Sequence, residues 1–107
     1  MNQAVSSHLS QIEHICESHQ VNYLYAFGSV VNENFKQGKS DIDFAVEFSS
    51  KVPILQISKK YFSLIRTLEE LLQSKVELVS YKVVRNQIFK EELDRTKVAI
   101  YEAKEPQ

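Results

Sequence analysis

Residues Phe27 to Val46 read FGSVVNENFKQGKSDIDFAV, and a short motif stands near each end of this segment. The pair Gly28-Ser29 follows an apolar run, and Asp41-Ile42-Asp43 begins another one after eleven intervening residues. A glycine and a serine at the end of a strand offer a phosphate close backbone approach, N–H donors and a hydroxyl. Two aspartates two positions apart on a strand project from the same face. They can share a hard cation such as Mg²⁺, which binds carboxylates and substrate phosphates. The segment therefore indicates phosphoryl or nucleotidyl transfer.

The apolar periodicity of the remaining chain predicts alternating helices and strands. Pro53 is placed to open the longest helix. The predicted helices are Gln3–His19, Ile54–Leu72 and Val83–Asp94, and the predicted strands are Val21–Phe27, Asp41–Phe48, Val76–Ser80 and Lys97–Glu102. This order predicts an α/β (α+β) fold with about four strands in a mixed sheet and helices packed on it, in a single domain of residues 1–107.

Two further expectations concern the connections and the third helix. Val30 to Ser40 is polar and predicts a loop, which can begin with a short helical turn. In the predicted Val83–Asp94 helix, we expect Val84, Ile88 and Phe89 to face the core.

Composition excludes several classes of protein. The chain has 107 residues, with 13 lysines and arginines against 14 aspartates and glutamates, so the basic excess of a strong nucleic-acid binder is missing. The single cysteine, Cys16, cannot form an intramolecular disulfide, and its place on an apolar stripe favours a core position over a catalytic one. The N-terminus lacks signal-peptide features, and the longest uncharged run, Val21 to Asn32, is too short to span a bilayer. We expect a cytoplasmic protein.

Taken together, the two motifs resemble the signature of the nucleotidyltransferase superfamily that includes DNA polymerase beta. The chain is most similar to the minimal nucleotidyltransferases, which consist of the catalytic core alone. Val76-Glu77-Leu78-Val79 falls where the family places its third carboxylate. The resemblance implies transfer of AMP from ATP with two Mg²⁺ ions. The residues it implies are Asp41, Asp43 and Glu77 as catalytic metal ligands, and Gly28 and Ser29 as nucleotide-binding residues.

The resemblance also implies a partner protein. Minimal nucleotidyltransferases are commonly encoded beside a HEPN-type ribonuclease toxin, and they act as its antitoxin by attaching AMP to one of its tyrosines. Because these residues form only a catalytic core, we expect another chain to complete the acceptor site. The expected contact surface is the outer face of the Ile54–Leu72 helix or the C-terminal segment.

Two alternatives remain open at this point. Glu77 replaces the commoner aspartate, and Val30 and Val31 follow Gly-Ser where the family usually has arginine. These departures are compatible with an antitoxin that has lost catalysis and acts by binding alone. The second alternative is transfer of a nucleotide to the hydroxyl of a small molecule, as in the aminoglycoside nucleotidyltransferases.

Overall fold

The computed structural model describes residues 3–31 and 41–106 and, of Ser29 and Val30, the backbone alone. Most of the predicted 30–40 loop therefore lies outside the described residues, although its start forms part of a short 3-10 turn, Gly28–Val31. A second 3-10 turn is Tyr81–Val83. The helices are α1 (Gln3–Ser6), α2 (Leu9–Ser18), α3 (Ile54–Leu72) and α4 (Gln87–Thr96), and the strands are β1 (Val21–Phe27), β2 (Ile42–Phe48), β3 (Val76–Ser80) and β4 (Val98–Glu102).

The four strands form one mixed sheet in the order β3-β2-β1-β4, which confirms the predicted fold class. β1 pairs antiparallel with both β2 and β4, and β2 pairs parallel with β3. The parallel pairing requires a long crossover, which the 19-residue α3 provides. As a result, the end of β1 and the beginnings of β2 and β3 lie at the same end of the sheet.

One face of the sheet carries the apolar core. Helices α1 to α3 cover this face and bury their apolar side chains against the sheet. Fully buried members are Val5, Ile12, Cys16, Leu24, Ala26, Ile42, Phe44, Val46, Leu64 and Leu68. None of the helices within residues 3–31 and 41–106 is long and apolar enough to cross a membrane.

The predicted first helix is interrupted, because α1 ends at Ser6 and α2 begins at Leu9. The hydroxyl of Ser7 donates to the carbonyl oxygen of Gln3 over 2.6 Å. A ring nitrogen of His8 bonds the carbonyl oxygen of Ala4 over 2.9 Å, while the His8 N–H donates to Val5. The His8 ring thus takes the Ala4 carbonyl oxygen that the His8 N–H would bond in a regular helix, which ends the first helix.

The predicted Val83–Asp94 helix is displaced along the chain. Asn86 begins the helix by accepting a hydrogen bond from the Phe89 N–H over 2.9 Å, and α4 continues to Thr96. The expected inward residues are also wrong: Ile88 is 81% exposed, and Leu93 is the buried residue of this helix. Val84 precedes the helix and is extended.

The bounds of α3 are as predicted, but its apolar stripe is not buried throughout. Ile54 is 83% exposed and Ile57 is 37% exposed, whereas Leu64, Leu68 and Leu72 are buried. The fully buried part of the stripe is therefore confined to the later turns of the helix.

Candidate active site

Three adjacent strands bring the central candidate residues into one row. Asp43 on β2 is paired with Phe27 on β1 and with Glu77 on β3. Directly paired residues point to the same face of a sheet. This face is opposite the core, and Asp43 is half-buried there while Glu77 is exposed. The structure therefore brings the predicted acids Asp43 and Glu77 together, although they are 34 positions apart in the chain.

Asp43 and Glu77 interact directly through their carboxyl groups. Burial of Asp43 raises the pKa of its carboxyl from 3.8 to about 6, with further contributions from the charge of Glu77, a hydrogen bond to Glu77 and the charge of Asp41. A carboxyl beside other carboxylates gains a proton more readily because like charges repel. The negative charges of Asp41, Asp43 and Glu77 therefore repel one another, and a bound cation would relieve this repulsion.

The position of the Asp43 carboxyl group requires a glycine at residue 28. Its φ is +71°, in the left-handed region that favours glycine. A Cβ atom at position 28 would lie only 2.5 Å from Oδ2 of Asp43 and 3.5 Å from its Cγ. The sequence suggested glycine for close approach of a phosphate, whereas the structure shows that it is already required for close approach of Asp43. The side chain of Ser29 lies outside the described part of the molecule.

Asp41 immediately precedes β2 and is partly buried. Its charge acts on Asp43. Within residues 3–31 and 41–106, however, no three His, Cys, Asp or Glu side chains are arranged as a set of metal ligands. Ligation of metal by Asp41, Asp43 and Glu77 therefore stays a prediction. The prediction rests on carboxylate oxygens that repel one another. No ion pair among the described residues neutralises their charge.

A pocket of about 530 Å³ opens beside Gly28, between the end of β1 and α4. Its walls are mainly apolar, with Phe27 and Phe89 in edge-to-face contact at 5.8 Å between ring centroids. The other lining residues are Val31, Glu92, Leu93, Thr96 and Val98. Sequence reasoning missed this pocket because it placed α4 too early and expected Phe89 to enter the core.

A polar network holds α4 beside the open face of the sheet. The Tyr81 hydroxyl and Lys97 both donate to the Asp94 carboxylate, Lys97 over 2.9 Å. The Lys90 ammonium lies 3.2 Å from the centroid of the Tyr81 ring, and that ring packs on Tyr25 at 5.4 Å. Arg85, which follows the Glu77 strand, is exposed and donates to the Lys82 carbonyl oxygen over 3.2 Å.

Several solved structures share this fold. One, named as a candidate minimal nucleotidyltransferase, superposes with a TM-score of 0.71 at 23% identity, over 92% of this chain and 95% of that one. A chain of a toxin–antitoxin complex with AMP-PNP gives 0.68 at 18% identity, over 90% and 74%. A chain of a complex between a tri-AMPylated Shewanella oneidensis HEPN toxin and an MNT antitoxin gives 0.63 at 17%, over 92% and 72%. No curated protein is significantly similar to the chain in sequence.

The sequence itself matches a family model over nearly its whole length. The model describes polymerase beta nucleotidyltransferases and covers residues 10–106. This range includes the Gly28 turn, the Asp43–Glu77 pair and the α4 pocket. The chain therefore belongs to the polymerase beta nucleotidyltransferase family.

Proposed function

We propose that this protein transfers AMP from ATP to a hydroxyl group of a partner protein. The observation that carries the proposal is the row of Gly28, Asp43 and Glu77, where a positive-φ turn meets two carboxyl groups on neighbouring strands. The family membership supports nucleotidyl transfer as the class of reaction. The α4 pocket, next to this row and large enough for a nucleoside, supports ATP as the donor.

The partner we propose is a HEPN-type toxin, with a tyrosine as acceptor. Similar folds occur in a toxin–antitoxin complex with AMP-PNP and in a complex of a tri-AMPylated HEPN toxin with an MNT antitoxin. Under this proposal the protein is an antitoxin, and its reaction takes place in the cytoplasm, where ATP and Mg²⁺ are available.

In the proposed reaction, the acceptor oxygen bonds to the α-phosphorus of ATP as the bond from that phosphorus to the leaving pyrophosphate breaks. Two Mg²⁺ ions, when bound, would supply charge neutralisation at the attacking and leaving oxygens. Asp41 and Asp43 would hold these ions, and the Gly28-Ser29 backbone would support the phosphates. Glu77, the exposed carboxylate paired with Asp43 on the neighbouring strand, would receive the proton released by the acceptor. The products are the AMP-modified hydroxyl and pyrophosphate.

The test is label transfer from α-phosphate-labelled ATP with Mg²⁺ to a HEPN-type protein that co-purifies with this chain. Label on that protein is expected with the wild type, and its loss is expected with an Asp41→Asn, Asp43→Asn double variant. Glu13→Gln is a matched control, because Glu13 is an exposed acid on α2, which packs on the opposite face of the sheet. Full labelling by the double variant would overturn the metal assignment.

The runner-up function is neutralisation by binding alone. The favouring observation is that the described acids do not form a set of three metal ligands. A complex with the HEPN protein that forms tightly, blocks its ribonuclease activity and carries no label would support this function over transfer.

A further inference from the structure

The first turns of α3 expose apolar side chains that the core does not use. Ile54 is 83% exposed, Leu55 is 91% exposed and Phe62 is 57% exposed. Val83, in the turn that follows β3, is 59% exposed. Single exposed apolar residues are ordinary on protein surfaces, but a contiguous group of them marks an interaction surface.

Three of these side chains, Ile54, Phe62 and Val83, line one concavity. Ile54, Ile57 and Phe62 from α3 face Val83 across a groove of about 650 Å³, which we name the α3 groove. Phe48 and Tyr61 also line it. A groove with apolar walls accepts the apolar face of an amphipathic helix, whose side chains at helical spacing insert into it.

Basic residues outnumber acidic ones beside the groove. The stretch 51–66, which contributes the α3 wall, contains no acidic residue, and Lys51 stands between the lining residues Ser50 and Val52. Lys82 lines the groove itself, and Glu47 is its one acidic lining residue. Complementary charge selects a partner and speeds its association. The helix that fits here is therefore acidic along the edges of its apolar face.

The groove and the candidate active site lie at opposite ends of β3. Ser80 lines the groove, and Glu77 is three residues earlier on the same strand. Three residues of a strand span about 10 Å. A folded partner is large enough to contact both places at once, whereas a nucleotide is not.

We propose that the α3 groove binds an acidic amphipathic helix of the partner protein and so anchors that protein beside the active site. This inference rests on the proposed function, since its partner is the HEPN-type toxin proposed there. It adds the location of the contact and the chemistry of the segment that fills it.

The test compares Phe62→Lys with Leu9→Lys in calorimetric titrations of the full chain with that HEPN protein. Phe62→Lys should weaken binding at least about tenfold, because it places a charge within the apolar contact. Leu9→Lys puts the same charge at another exposed apolar residue, on α2, and should bind as the wild type does. Thermal unfolding of both variants shows whether each is folded.

A second pair of variants tests the charge argument without altering apolar surface. Lys82→Glu should weaken binding severalfold and reduce its dependence on salt, because one attractive pair is lost. Lys104→Glu reverses a charge in the exposed C-terminal segment and should have little effect.

The possible results separate this inference from the proposed function. If the wild type neither binds nor labels the HEPN protein, the proposed function fails and the groove assignment fails with it. If binding and labelling occur but both groove variants behave as wild type, the groove assignment alone is overturned. A chain that sediments as a dimer by itself and becomes monomeric with Phe62→Lys, while partner binding is unchanged, would make the groove a self-association surface and also overturn it.

Discussion

The carboxyl group of Asp43 fills the space in which a side chain at residue 28 would begin, 2.5 Å from the Cβ position of that residue. Gly28 and Asp43 therefore depend on each other: the turn after β1 can close over β2 only while position 28 has no side chain. The same turn presents the backbone that we assign to the phosphates of ATP. A local steric requirement thus links the two halves of the motif.

Gly28→Ala should destabilise the protein and abolish label transfer. The new methyl group meets Asp43 Oδ2, and the positive φ is unfavourable for alanine, so we expect a loss of at least about 1–2 kcal/mol in unfolding free energy. Urea unfolding measures this loss. Adding Asp43→Ala should recover part of it by removing the clash, and an unchanged unfolding midpoint for Gly28→Ala would contradict the assignment.

Asp43→Asn should stabilise the metal-free protein at neutral pH. The pKa of Asp43 is raised from 3.8 to about 6 in the folded state, so the folded protein holds this proton more tightly than the unfolded chain. The protonated Asp43 carboxyl therefore stabilises the folded protein below pH 4, and this stabilisation is lost as the pH rises through about 6. Asp43 is only half-buried, and water screens the repulsion. We therefore expect Asp43→Asn to raise the free energy of unfolding by about 1 kcal/mol at pH 7.5.

Thermal unfolding between pH 4 and pH 8 in a chelating buffer measures this effect. The difference between Asp43→Asn and wild type should grow as the pH rises to 6 and then level off. Added Mg²⁺ should raise the wild-type melting temperature and leave that of the variant unchanged. A variant that gains nothing at pH 7.5 would show that the acids do not repel one another in solution.

Glu77 can be tested by varying charge and length separately. Glu77→Gln removes the charge and should lower the rate of label transfer by about two orders of magnitude or more, if the carboxylate acts in the reaction. Glu77→Asp keeps the charge on a shorter side chain and should retain part of the rate. Both substitutions should fold normally because Glu77 is exposed. Wild-type rates for Glu77→Gln would leave Asp41 and Asp43 as the acids of the site.

Phe89→Ala tests the α4 pocket as the place where the nucleoside binds. The substitution removes the ring that contacts Phe27 at 5.8 Å, and we expect the KM for ATP to rise roughly three- to tenfold with a smaller change in kcat. Ile88→Ala is the matched control on the neighbouring position, since Ile88 is 81% exposed and does not line the pocket. Equal KM values for the two variants would place the nucleoside elsewhere.

Cys16 should be unreactive in the folded protein. Burial, together with the nearby charges of Glu13 and Glu17, raises the pKa of its thiol to about 12, so the reactive thiolate is rare at pH 8. Alkylation by iodoacetamide at that pH should be slow and should become fast in denaturant. Rapid alkylation without denaturant would show that α2 opens locally.

Local patterns in the sequence predicted the elements that depend on neighbouring residues. The limits of α3 and β3 were predicted to the residue, because apolar periodicity and Pro53 determine them locally. The break after Ser6 and the start of α4 at Gln87 were missed, because each depends on a side chain that bonds the backbone: the His8 ring bonds the Ala4 carbonyl, and Asn86 accepts from the Phe89 N–H.

The chemistry of the site was also visible in part from residue types and spacing. Gly28 and the two aspartates can be identified as site residues from the sequence. A glycine before a turn and two acids two positions apart on a strand seldom occur together for another reason. The contact of Asp43 with Glu77, the clash that requires glycine at position 28 and the pocket under Phe89 could not be chosen in this way. Each of these three features joins residues that are far apart in the chain. They form only when burial of the core has fixed the strand order, the strand register and the packing of α4.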